Sequence, residues 1–154
     1  MRKTTTRIAR LVAVALCMLV ASFNVQSAEN NSDIFGLWKI TAILDSADIS
    51  GLSDLQAKRL IGMPVVINPD HLEFNGMTCK SPTYQRTVED TAVYLREKGH
   101  VSSVNLHLPN PVTVIDAKCT FIYLKRKNRI VMGWDGVYFD AVKQMKSSSL
   151  SRGS

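Results

Sequence analysis

The sequence predicts a mainly β (α+β) domain, an antiparallel sheet or small barrel with one or two short helices and one disulfide. Runs that alternate apolar and polar residues recur between positions 37 and 142, which is the pattern of half-buried strands. Asp135-Gly136 separates two such runs, and this dipeptide favours a two-residue hairpin turn. Two cysteines, Cys79 and Cys119, remain after an N-terminal export signal, and two suffice for one bridge.

The strands are predicted in chain order from their alternation and their β-branched residues. The first covers residues 37–44, with Trp38 and Ile40 on one face. Further strands are predicted over residues 64–68, 71–74, 103–108 and 112–115. In the C-terminal part, the same alternation and the Asp135-Gly136 turn predict a three-stranded meander over residues 119–124, 130–134 and 137–142.

Two short helices interrupt these strands. Ser53 and Gln56 have the spacing of a capping box, and Gly62 ends the helix that they begin. A second helix is predicted to begin at Thr87 and to run to Gly99. Thr91, Val93 and Tyr94 in this segment also suit a strand, so that alternative stays open.

The first 28 residues have the organisation of a secretory signal peptide. Four basic residues and no acidic one precede an apolar run over residues 11–21, and small or polar residues follow up to Ala28. This run has eleven residues, whereas a membrane-spanning helix needs about 20. The sequence therefore predicts an exported protein of the periplasm or extracellular space, with no stable membrane insertion after cleavage.

The mature protein is expected to begin at Glu29, because Ala28 is the preferred cleavage point, or at Ala28 if cleavage follows Ser27. Intact-mass analysis of secreted or periplasmic protein measures this directly. A mass that still includes Met1 would contradict export with cleavage.

Removal of the signal peptide lowers the net charge of the chain. The full chain has 19 basic and 13 acidic residues, and four of the basic ones lie in residues 1–28, so the mature protein carries +2. This small charge does not favour a nucleic-acid partner. The basic cluster at residues 125–129 is interpreted as a solvated hairpin tip, with a phosphate- or lipid-binding patch as the alternative.

Cys79 and Cys119 are predicted to form a structural disulfide, because exported compartments oxidise thiols and no third cysteine remains after cleavage. A metal or redox pair is the alternative, but the two cysteines lack CxxC spacing and the three histidines show no ligand pattern. No cofactor is expected.

The mature chain is predicted to form a single domain over residues 34–146. Its length, about 126 residues, is enough for one compact domain and too short for two. Residues 29–33 form a polar lead, and residues 147–154 form a serine-rich tail that is predicted to be disordered.

Gly36-Leu37-Trp38 opens the first predicted strand, and a series of antiparallel strands follows it. This arrangement resembles the lipocalin-like (calycin) proteins and other small exported bacterial β-barrel domains. The resemblance implies that Trp38 plugs the closed end of a barrel and that a basic residue of a late strand covers it. Lys125, Arg126 and Arg129 are the candidates for the covering residue. The predicted helix after the first strand and the number of strands depart from the family pattern.

The aromatic residues around the Asp-Gly turn are a candidate contact surface. Trp134, Tyr138 and Phe139 flank this turn, and exposed aromatic residues favour protein contacts. Core packing of the same residues is the alternative. Gly36 and Trp38 are assigned a structural role, because Gly36 permits close backbone approach and Trp38 heads an apolar strand face.

No catalytic motif is present in the sequence, and the protein is predicted not to be an enzyme. The chain lacks a Gly-x-Ser-x-Gly elbow, a His-Glu-x-x-His motif and a glycine-rich phosphate loop. The expected function is that of an exported non-catalytic binding module of the bacterial cell envelope, which binds a small apolar ligand or an envelope protein. The alternative is an inhibitor or immunity protein against a cell-wall-degrading enzyme.

Overall fold

The computed structural model describes residues 31–145, so the predicted signal peptide and the predicted tail at 147–154 lie outside the described residues. Within residues 31–145, nine antiparallel strands form one curled half-barrel sheet with two short α-helices and one disulfide. This confirms the predicted fold class.

The elements follow in chain order. The strands are β1 (Gly36–Ser46), β2 (Pro64–Ile67), β3 (His71–Phe74), β4 (Met77–Lys80), β5 (Gln85–Glu89), β6 (Val112–Asp116), β7 (Phe121–Arg126), β8 (Arg129–Trp134) and β9 (Val137–Lys143). The helices are α1 (Asp54–Arg59) and α2 (Thr91–Tyr94), which continues into a π-helical turn (Leu95–Gly99). A 3-10 turn (Val104–Leu106) precedes β6.

The sheet is an up-and-down meander that curls back on itself. Its strand order is β4-β3-β2-β1-β9-β8-β7-β6-β5, so the first and last strands are hydrogen-bonded neighbours. Their pairing runs from Trp38 opposite Lys143 to Ser46 opposite Val137. β4 and β5 follow each other in the chain but are the two edges of the sheet. The half-barrel is therefore open between β4 and β5.

Apolar side chains cover both faces of the sheet. On the concave face, residues of distant strands meet, as the 5.1 Å between the ring centroids of Phe74 and Trp134 shows. On the convex face, Val131 and Tyr138 pack under the segment that contains α2 and the two helical turns. Successive residues of β8 and β9 belong to different clusters, as strand alternation requires.

The disulfide crosses the opening of the half-barrel. Cys79 lies in the edge strand β4, and Cys119 lies in the turn between β6 and β7, with their Cα atoms 6.3 Å apart. The predicted bridge is confirmed. It joins two parts of the sheet that share no strand pairing.

The segment before β1 also covers this opening. The side-chain amide of Asn31 donates a hydrogen bond to the Tyr84 carbonyl (3.0 Å), and Arg86 of β5 forms an ion pair with Asp33 (2.6 Å). Ile34 is fully buried in the concave core. The described part of the predicted polar lead is thus part of the folded domain, because it anchors β5 to the start of β1.

The hairpin turn at Asp135-Gly136 and the helix cap at Ser53 are confirmed. Asp135 and Gly136 have φ of 47° and 77°, as their hairpin turn requires. A Cβ on Gly136 would lie 2.6 Å from the Ile49 carbonyl oxygen, so only glycine fits there. Ser53 and Gln56 form the predicted capping box at the start of α1.

The strand predicted over residues 103–108 is wrong, and the segment instead contains the 3-10 turn. Its alternating pattern predicts that Val104 and Leu106 are buried on the same face, yet Leu106 is buried while Val104 is 73% exposed. The segment crosses the convex face, where Leu106 packs on the sheet without a strand partner.

The predicted start of the second helix is also wrong. Thr87 lies in β5, where it pairs with Val114, and the helix cap is Asp90, whose carboxylate accepts a hydrogen bond from the Val93 amide (3.0 Å). Thr87 and Val88 follow their strand preference because β6 offers a partner. Thr91, Val93 and Tyr94, which also suit a strand, lie in α2.

Sequence reasoning missed the strand β4. Asn75 and Gly76 join it to β3, with φ of 51° and 75°. Asn-Gly is a strong signal of a two-residue hairpin turn, so this signal was present in the sequence.

Candidate functional site

The predicted aromatic contact surface is buried and does not form an exposed site. Trp134, Tyr138 and Phe139 are 8%, 6% and 0% exposed. Trp134 and Phe139 pack against Phe74 inside the curl, and the Tyr138 hydroxyl donates to the Gly99 carbonyl on the convex face (2.9 Å). These three residues are therefore core residues, which was the alternative interpretation, because other side chains pack on both faces of β8 and β9.

Trp38 lies buried at the end of the half-barrel where β1 begins and β9 ends. It is 2% exposed, and its indole N–H donates a hydrogen bond to the Ile34 carbonyl (2.7 Å). Lys143 lies over its ring, with Nζ 5.3 Å from the centroid. Gly36 has φ of 134°, and a Cβ there would lie 3.2 Å from Cε of Lys143. The covering cation is therefore Lys143, not Lys125, Arg126 or Arg129.

Two of the expected covering residues instead bind a buried carboxylate on the convex face. Asp140 of β9, 3% exposed, forms ion pairs with Lys125 Nζ (3.1 Å) and Arg129 Nη1 (2.9 Å). The Thr41 hydroxyl donates a third bond to it (2.8 Å). The sequence analysis missed Asp140. Two features of the sequence indicated it: an aspartate within an otherwise apolar strand, and a basic hairpin close to it in the chain.

Asp140→Ala is expected to lower the free energy of unfolding by about 2–3 kcal/mol, because it leaves two cations without their carboxylate. This loss of stability should be smaller than the loss on breaking a fully buried ion pair, because the side chain of Arg129 is 34% exposed. Urea denaturation measures it. Glu97→Ala, at an exposed glutamate, is the control and should change stability by less than about 0.5 kcal/mol. Equal effects of both variants would contradict this role of Asp140.

A cleft of about 490 Å³ opens at the same end of the half-barrel as Trp38. We call it the basic cleft. Asp33 and Trp38 form one wall, and Leu124 to Asn128 of the β7–β8 hairpin form the second. The third wall consists of Pro109, Pro111 and Thr113, and Lys143 also lines the space.

The charges around the basic cleft are mostly positive. Lys125, Arg126, Lys127 and Lys143 line it, against Asp33 as the acidic residue of the lining. The carboxylate of Asp33 is paired with Arg86, and Lys125 is paired with Asp140. Within residues 31–145, Arg126, Lys127 and Lys143 form no ion pair. These three cations give the cleft its excess positive charge.

The other end of the half-barrel is acidic. A groove of about 340 Å³ lies between α1 and the end of β1. Ile43 and Leu52 line its apolar part, and Asp45, Asp54 and Lys58 line its polar part, so its lining carries one net negative charge. The domain thus has a basic end and an acidic end, an asymmetry that the net charge of the sequence does not reveal.

The histidines take part in local contacts. The ring of His71 lies between Asp70, 2.9 Å from Nδ1, and the side-chain amide of Asn68, 3.1 Å from Nε2. The hydrogen bond from His71 lowers the pKa of the Asp70 carboxyl. A third cleft, of about 370 Å³, contains His100, Asp48 and Ser102. In the part of the chain that the structure describes, no hydrogen bond joins the His100 ring to a carboxylate or hydroxyl.

Over residues 31–145, no group of three or more His, Cys, Asp or Glu side chains is arranged to hold a metal ion. Nor does any helix in this range have the length and apolarity to cross a lipid bilayer. Comparison with protein families, curated proteins and solved structures finds no match to the chain.

Proposed function

We propose that this protein is an exported, non-catalytic binding domain of the bacterial cell envelope. Its ligand binds in the basic cleft and not inside the concave face of the curled sheet. The observation that carries the proposal is the packing of the concave face. Trp38, Phe74 and Phe139 are each at most 2% exposed, and with their neighbours they occupy the space that a barrel-type carrier would leave for an apolar ligand.

The size and lining of the basic cleft support the proposal. Its volume of about 490 Å³ lies in the range of small-molecule sites. Apolar side chains such as Leu124 and Ile130 lie beside charged ones. In small-molecule sites the apolar side chains provide contact area for the ligand, and the charged ones fix its orientation.

The relation to lipocalin-like barrels is part of the same proposal. The pairing of β1 with β9 and the cover that Lys143 provides for Trp38 agree with what the Gly36-Leu37-Trp38 resemblance implies. The opening between β4 and β5 and the filled concave face differ from a closed barrel with a ligand chamber.

A cleft-filling substitution tests the site. Thr113 lies in the cleft wall, and Thr113→Trp should occupy part of the space. Thr87→Trp is the matched control, because Thr87 is exposed on the neighbouring strand β5 and lies outside the cleft lining. The secreted protein and both variants are immobilised and incubated with envelope extract, and the bound lipids and proteins are identified by mass spectrometry.

A species that wild type and Thr87→Trp retain and Thr113→Trp loses supports binding in the cleft. Retention of the same species by all three proteins would show that binding uses another surface. Chemical conversion of the retained species by the wild type would contradict the non-catalytic assignment.

Inhibition of a cell-wall-degrading enzyme is the second candidate function. The exposed tip of the β7–β8 hairpin favours it, because Arg126 and Lys127 are exposed there without an ion pair among the described residues. Most glycoside hydrolases act through two carboxylates, which such cations can bind. Stoichiometric inhibition of a muramidase by wild type, lost in Arg126→Glu/Lys127→Glu, would support this function, and full muramidase activity at excess protein would exclude it for that enzyme.

A further inference from the structure

We propose that the basic cleft binds a phosphate-bearing ligand, whose phosphate is held by Arg126, Lys127 and Lys143. This inference rests on the proposed function, in which the ligand occupies the cleft, and it specifies the chemistry of that ligand.

The charge of the cleft selects a multivalent anion. Arg126, Lys127 and Lys143 line it without ion pairs among the described residues, and the Asp33 carboxylate is engaged by Arg86. A carboxylate carries one negative charge, whereas a phosphate monoester carries about 1.5 to 2 at neutral pH and offers three acceptor oxygens. Three cations therefore match a phosphate group better than a single carboxylate.

The donors of the cleft suit the same ligand. Lysine and arginine side chains only donate hydrogen bonds, and phosphate oxygens only accept them once the group is ionised. Pro109, Pro111 and Leu124 form the apolar part of the lining. This part provides a surface for the remainder of a phosphate ester.

The backbone that carries Arg126, Lys127 and Lys143 is anchored before a ligand binds, and Nζ of Lys143 donates a hydrogen bond to the Asp33 carbonyl (2.7 Å). The Lys143 amide donates a hydrogen bond to the Asn128 carbonyl (3.0 Å), which ties the hairpin tip to the end of β9. Lys125 and Arg129, on either side of the tip, are both paired with Asp140. Anchoring on both arms of the hairpin reduces the ordering cost of binding.

The asymmetry of the domain adds to the preference for an anion. Asp45 and Asp54 lie in the groove at the opposite end of the half-barrel. The field between an acidic and a basic end orients an approaching anion toward the basic cleft.

Titration with sodium pyrophosphate, followed by the backbone amide signal of Asn128 in NMR spectra, tests the inference. Wild type is expected to show saturable shifts whose dissociation constant increases with salt. Arg126→Glu/Lys127→Glu should raise that constant at least tenfold. Arg59→Glu/Lys80→Glu makes the same change in net charge at exposed positions outside the cleft and should alter it less than twofold.

A second arm separates free phosphates from lipid headgroups. Sedimentation with phosphatidic acid vesicles, whose headgroup is a phosphate monoester, is compared with sedimentation with phosphatidylcholine vesicles, whose headgroup has no net charge. Binding of pyrophosphate alone identifies a soluble ligand. Binding to phosphatidic acid vesicles, lost in Arg126→Glu/Lys127→Glu and kept in Arg59→Glu/Lys80→Glu, identifies a lipid headgroup.

Two results would overturn the inference: no binding of either probe, or equal losses in the two charge-reversal variants, which would reduce the effect to net charge. If neither probe binds while Thr113→Trp still abolishes capture of an envelope component, the cleft is the site and its ligand is not a phosphate. If Thr113→Trp leaves that capture unchanged, the proposed function itself fails.

Discussion

Trp38→Ala is expected to lower the free energy of unfolding by about 3–5 kcal/mol, the usual cost of removing a buried indole. Trp38 is 2% exposed in the concave core. The substitution also removes the hydrogen bond to the Ile34 carbonyl and the ring beneath Lys143. Because the stability of a small domain is about 5–15 kcal/mol, much of it should be lost.

Urea denaturation of the oxidised protein measures this effect. Leu37→Ala is the matched control, because Leu37 precedes Trp38 in β1 but is 46% exposed, and its loss should stay below about 1 kcal/mol. An unchanged melting temperature for Trp38→Ala, together with weaker binding in the cleft, would instead make Trp38 a ligand-contact residue.

Cys79→Ala/Cys119→Ala is expected to lower the free energy of unfolding by about 3–4 kcal/mol, the loop-closure entropy of a bridge across about 40 residues. The bridge also spans the opening between β4 and β5, where no strand pairing holds the sheet. Its loss should therefore speed amide exchange in β4 more than in the central strands β8 and β9.

Denaturation and hydrogen exchange of the double variant measure these effects. Thiol titration of unfolded, unreduced wild type is the control and should detect no free thiol in the mature protein. Two reactive thiols would refute the bridge, and unchanged exchange in β4 would show that other contacts hold this edge.

The curled sheet explains both why the aromatic residues are buried and why we place the proposed binding site at one end of the sheet. The cover on both faces of the curled sheet buries the aromatic residues of β8 and β9, so Trp134 and Phe139 are core residues. For this reason we place the proposed ligand contacts at the ends of the strands. At one of these ends the charged hairpin and Lys143 meet.

Most of the fold could be predicted because its signals are local. Asp135-Gly136 specifies a turn through φ, Ser53 and Gln56 specify a helix start through two hydrogen bonds, and alternation specifies strands. Asn75-Gly76 carried the same kind of signal for β4. Errors arose over residues 87–90 and 103–108, where composition suits two structures and the neighbouring element decides between them.

The site could be predicted only in part, because it depends on contacts between distant residues. The cysteine count, the basic run at 125–129 and the Gly-x-Trp triplet are visible in the sequence alone. The position of Lys143 over Trp38 is not, since it follows from the register of β1 with β9. Nor does the sequence reveal which cations Asp140 neutralises. Strand pairing sets these distances, and the pairing partner of each strand is determined by burial summed over the whole sheet.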